Sequence, residues 1–192
     1  MRSVKFFGLI TLLLSTSFIY SQTFTFQQSI ISSTDDAEEK YDGSYITTSS
    51  SDLEMMYDSW NSQGLQTVGL RFSNITIPSN ATIVNAYIQF TADGSSSGNI
   101  DITIKGEDIA YSSTFSNTSN NISNRNTTAS NVVWTPSSSW IDNASGLGQR
   151  TPDLSTIVSE VFSSNGWQIG NPITFIISGN GNSFDFREAY SF

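Results

Sequence analysis

Apolar and polar residues alternate in short runs along most of this chain, as they do in β-strands with one buried face. The clearest run is Ile100-Asp101-Ile102-Thr103-Ile104-Lys105, with isoleucines on one side and Asp, Thr and Lys on the other. Thr67-Val68-Gly69-Leu70-Arg71-Phe72 and Ala86-Tyr87-Ile88-Gln89-Phe90-Thr91 are rich in β-branched and aromatic residues and read as strands too. Shorter strands are expected at Thr23-Phe24-Thr25-Phe26, Tyr45-Ile46-Thr47-Thr48 and Leu53-Glu54-Met55-Met56-Tyr57. Further along, Asn131-Val132-Val133-Trp134, Pro172 to Ser178 and Phe184 to Ala189 carry the same signal. The Gly- and Ser-rich turn Asp93 to Asn99 is expected to join two of these strands as antiparallel neighbours.

The period changes once. Leu154, Ile157, Val158, Val161 and Phe162 form one helical stripe, with Thr151 placed to cap it, Pro152 at its first position and Gly166 to end it. From Ser112 to Ser130 the chain is almost all Ser, Thr and Asn, which reads as a long surface loop or a partly disordered one. Many short strands, polar connections and one short helix predict a mainly β fold, a two-sheet antiparallel sandwich of jelly-roll type. No internal repeat or linker divides residues 22–192, which read as a single β-sandwich domain.

Residues 1–21 stand apart. Arg2 and Lys5 precede the apolar run Phe6 to Leu14, and the run fades through Ser15, Thr16 and Ser17 to Ser21. This is the pattern of a secretory signal peptide, and the alternative of an uncleaved anchor needs a longer apolar stretch, about 20 residues. At the other end, Tyr190-Ser191-Phe192 stops inside an aromatic stretch. A C-terminally truncated sandwich, with further domains of a longer chain beyond, is the expectation; the alternative is that this stretch forms the last strand.

Charge and composition narrow the chemistry. Once Arg2 and Lys5 leave with the leader, six basic residues face 17 acidic ones, a balance of −11. So acidic a surface repels phosphates and anionic lipid, so neither nucleic acid nor membrane is expected as a partner. The chain contains no Cys and no His. Disulfides, Ser-His-Asp and Cys-His catalysis within this chain are therefore excluded, and so is the commonest zinc ligand.

The ordered blocks Val68-Gly69-Leu70-Arg71-Phe72, Ile77-Pro78, Ala81-Thr82-Ile83, Ala86-Tyr87-Ile88-Gln89-Phe90 and Phe186-Arg187-Glu188-Ala189 resemble those of the DNRLRE-type β-sandwich domains of secreted microbial proteins. The likeness runs from about Asp42 to Phe192 and rests on these short blocks. It implies a jelly-roll accessory module of a larger extracellular or surface protein, in some cases a carbohydrate-binding one, with another strand after the Arg-Glu-Ala segment. The acidic cluster and the helix have no counterpart in that pattern.

Two sets of candidate site residues emerge. Asp35, Asp36, Glu38 and Glu39 form the densest charge cluster, and Asp52 and Glu54 share one face of a strand at a spacing of two. Such hard oxygen ligands suit a structural Ca²⁺, although no EF-hand spacing is present and a solvated acidic loop is the plain alternative. Trp60 and Asn61 in the polar run Asp58 to Gln63, with Tyr57 beside it and Trp140 after Ser137-Ser138-Ser139, are candidates for stacking on and hydrogen-bonding a sugar. Paired carboxylates also serve glycoside hydrolysis, but that needs a cleft, which nothing in the sequence marks. The expected function is non-catalytic: a secreted module, extracellular or on the cell surface, that attaches a larger protein to polysaccharide. A structural or adhesive module without glycan binding is the alternative.

Overall fold

The computed structural model describes residues 23–59, 63–136, 139–164, 166–179 and 184–192. The fold is mainly β, and every strand pairing is antiparallel. Its larger sheet contains β1 (Asp36–Lys40), β2 (Ile46–Thr47), β5 (Gly64–Phe72), β10 (Ile173–Gly179), β7 (Ile102–Glu107) and β8 (Thr127–Trp134), in the order β2-β1-β5-β10-β7-β8. Short β4 (Tyr57–Asp58) pairs with the start of β5. The second layer is smaller. There β3 (Asp52–Met55) pairs with β11 (Arg187–Tyr190), and β6 (Ser96–Ser97) with β9 (Ser139–Trp140).

Period-two alternation assigns the two faces of the large sheet. Val68 and Leu70 of β5, Ile102 and Ile104 of β7, and Phe175 and Ile177 of β10 point inward, toward Leu53 and Met55 of β3 and Ala189 of β11. Phe90, Trp134 and Trp140 fill one end of this core as an aromatic cluster, with ring centroids 5.7–6.3 Å apart. Helix α1 (Ser155–Ser163) closes the inner layer with Ile157, Val158, Val161 and Phe162. Its side chains lie over Gly106, where an added Cβ would come within 2.8 Å of Ile157. The glycine is what lets helix and sheet approach.

Several elements differ from the sequence expectation, each for a local reason. The helix begins after Leu154, because the Thr151 hydroxyl instead accepts the Ile88 amide, while Asp153 accepts the amides of Ser155 and Ala86. Residues 23–31 are not a strand; Phe26 and Ile30 are the parts packed against the core. Residues 86–92 are extended but held by the isolated bridges Gln89–Arg150 and Ala92–Ala189 rather than by a continuous ladder. They belong to the second layer, so the turn at 93–99 does not make them neighbours of β7; it crosses between layers. The fully buried Arg187 fixes that crossing by donating to the carbonyls of Ser97 and Gly98.

The largest correction concerns the acidic run. Asp36–Lys40 is a strand set between β2 and β5, not a solvated loop, and Asp35, Asp36, Glu38 and Glu39 are all buried. The Ser/Thr/Asn-rich segment before β8 is not a free loop either. It folds over the outer face of the large sheet, where Phe115 and Ile122 form a second cluster with Ala37, Ile46 and Ile176. Phe115 lies on Gly69, whose missing Cβ leaves room for the ring.

Candidate functional site: an acid-lined cleft

Alternation splits the acidic run between two environments. Asp36 and Glu38 register with Leu70 and Val68 and so share the inner face, whereas Ala37 and Glu39 register with Gly69 and Thr67 on the outer one. On the outer side, Glu39 is fully buried and accepts the backbone amides of Ile122 (2.7 Å) and Ser123 (3.0 Å). Asp35 pairs with the buried Arg71, whose Nε also donates to the Ser112 carbonyl. Asp36 accepts the Phe192 amide at 2.8 Å. These three carboxylates are thus committed to separate structural contacts and do not converge.

Glu38 does meet Asp52 and Glu54. It accepts the Glu54 backbone amide at 2.5 Å and lies side by side with the Glu54 carboxyl, where the edge of the large sheet faces β3. Here the apolar interlayer ends and a cleft of about 240 Å³ opens, with Glu38, Asp52, Glu54 and Asp58 along it. Tyr45, Thr47, Ser50, Gln63 and Gln66 complete the lining, and Tyr45 is exposed. Across the β3–β11 pair, Glu188 stands directly opposite Glu54. One carboxylate oxygen from each of Asp52, Glu54 and Glu188 lies within 4.8 Å of the others.

Like charges opposite one another on a sheet are destabilising, and burial compounds the cost. Burial, followed by the hydrogen bond and charge of Glu54, pushes Glu38 up to about 10. Glu38 therefore keeps its proton at neutral pH and gives its hydrogen bond to Glu54. Burial raises Glu54 as well, with help from Asp52 and Asp58. Glu188 is pushed up to about 7 by burial and then by Asp52, Glu54, Asp93 and Asp58. Every charge acting on Glu188 in this way is another carboxylate, so the site is short of positive charge.

The expected sugar-stacking residues fare differently. Trp60 and Asn61 lie outside the described residues. Trp140 is 1 % exposed and donates its indole N–H to the Gly148 carbonyl, so its ring belongs to the core and is closed to a sugar. Its polar sequence neighbours mislead because β9 pairs with β6 across the layer edge. Tyr57 is half-buried, edge-on to Phe184 with centroids 5.1 Å apart, and precedes the cleft residue Asp58. Sequence reasoning missed Glu188, Tyr45 and Gln66 as site residues. The spacing of Asp52 and Glu54 was the available signal; nothing local ties Glu188 to them across more than 130 positions.

Neither the known protein-family models nor the curated proteins match this chain.

Proposed function

We propose that this chain is a non-catalytic extracellular binding module that attaches a larger secreted protein to polysaccharide, with the cleft between β1–β2 and β3 as its site. The observation that carries the reading is the mixed lining: hydroxyls and amides of Thr47, Ser50, Gln63 and Gln66, carboxyls of Asp52 and Asp58, and the exposed Tyr45 ring. Such groups bond sugar hydroxyls while a ring covers the apolar CH face. The leader-like first 21 residues and the resemblance to secreted sandwich modules support the same reading. Calcium on Asp52, Glu54 and Glu188, in place of the larger set expected from the acidic run, would offset their repulsion and brace β3 against β11.

The existence of a cleft reopens hydrolysis. Glycoside hydrolysis places its two carboxyl groups about 5–5.5 Å apart or further. Glu38 and Glu54 share a hydrogen bond, and Asp52, Glu54 and Glu188 crowd within 4.8 Å, so these groups are set to share a proton or a cation. Titration against a polysaccharide panel tests the proposal. Tyr45→Ala and Gln66→Ala are each expected to weaken the bound glycan about 3–10-fold, the worth of one lost contact. One observation favours the structural or adhesive reading: Trp134, Trp140 and Trp167 are all buried, leaving no indole platform among the described residues. Flat titrations with every glycan would decide for it.

A further inference from the structure

We infer that the cleft selects a sugar unit bearing a free amine over its neutral, N-acylated or anionic counterparts. The inference rests on the glycan-binding reading and names the ligand class that the cleft's charge demands. Among the described residues, four carboxyl groups line it, from Glu38, Asp52, Glu54 and Asp58, and no Lys or Arg does. The lining is therefore acidic. A neutral ring entering this space strips water from those carboxylates and returns hydrogen bonds but no counter-charge. A uronate or sulfate adds direct repulsion. An ammonium group supplies the missing charge in a partly desolvated place, where an ion pair is worth more than in open water.

The rest of the lining argues for a sugar amine in preference to a basic side chain. Thr47, Ser50 and Gln66 offer partners for ring hydroxyls that a lysine or arginine lacks, and Tyr45 offers a flat apolar face. Size points the same way. About 240 Å³ is below the ~300–1,000 Å³ of sites that enclose drug-sized ligands. It suits one ring inserted from a chain that continues outside. Glu54 also stands directly opposite Glu188 on β11, a further cost that a cation relieves.

The experiment is isothermal titration of the full chain at pH 6, in chelator and low salt, with four probes. These are a glucosamine tetramer, its fully N-acetylated form, a glucose tetramer and a lysine tetrapeptide. The glucosamine tetramer is expected to bind at least tenfold tighter than each of the others. Asp52→Asn should bring that preference to within about threefold. Asp58→Asn provides the same measurement independently if the first variant melts early. Equal binding of amine and neutral tetramers would overturn the inference and leave the glycan reading standing. Absence of binding by every sugar to a folded chain would overturn both. Tighter binding of the lysine peptide would replace the sugar amine with a basic protein segment.

Discussion

Glu38 shows what one residue gains and costs in this fold. Its place opposite Val68 directs a carboxyl into the space between the layers, where desolvation favours the neutral acid. The folded chain therefore holds a proton at Glu38 from its ordinary value near 4.5 up to about 10, across a range where the unfolded chain has released it. Stability falls as pH rises through that window, with a slope approaching 1.4 kcal/mol per pH unit for one retained proton. Glu188 adds to the fall between about 4.5 and about 7. Asp153 and Glu160, lowered by hydrogen bonds from the backbone and from serines, act oppositely, and their stabilisation is lost only on acidification. Urea melts in chelator should thus show greater stability at pH 5 than at pH 9. Glu38→Gln, which keeps both hydrogen-bonding functions but cannot titrate, should flatten most of that decline. An unchanged slope in the variant would mean that Glu38 is ionised in the fold. Sequence alone displayed this residue as one charge in a run, because the alternation of faces has no meaning until the run is known to be a strand.

At the scale of elements, β1 and the segment over it explain each other. An acidic strand survives inside a sheet because its outer-facing carboxylate, Glu39, finds two backbone amides in the covering segment at Ile122 and Ser123. That segment is in turn fastened by Arg125, which pairs with Glu107 at 2.8 Å, donates to Asn121 and Ser113 carbonyls and lies 4.4 Å from the Phe115 ring centre. Ser112 and Thr174 complete a connected set of buried polar groups beneath it. Phe115→Ala should cost about 3–5 kcal/mol, since the ring covers Gly69 and leaves a void. Arg125→Ala, which removes the charged partner of the buried Glu107 carboxylate and leaves it the Ser112 hydroxyl, should cost about 3 kcal/mol. Denaturant melts measure both, and hydrogen exchange should show residues 112–125 losing protection first. The strands and helix α1 were legible because their apolar spacing is a local property. The fastening of a Ser/Thr/Asn-rich segment was not, since its few anchors, Phe115, Ile122 and Arg125, act through residues distant in sequence.

At the scale of the molecule, the two layers meet cleanly through their apolar faces and poorly at one edge, where carboxyl groups gather in place of side chains that would seal the core. A cation binding only the folded form stabilises by mass action. Calcium at about ten times its Kd adds roughly 1.4 kcal/mol, or about 3–6 °C for a chain of this length. A melting temperature that rises with calcium, and no longer does so after Glu188→Gln, is the expected result; an identical melt in chelator and in calcium would remove the ion from the site. By itself the sequence determined the mainly β class, the helix stripe, the absence of histidine and cysteine chemistry, and the acidic balance, because each follows from composition or from spacing within a few residues. Only the tertiary structure decided that Trp140 is core, that Asp35, Asp36 and Glu39 serve separate contacts, and that Asp52 and Glu54 meet Glu38 and Glu188. Those outcomes depend on strand pairing between distant segments, and pairing is set by how the whole set of apolar faces closes, which no short stretch of the chain encodes.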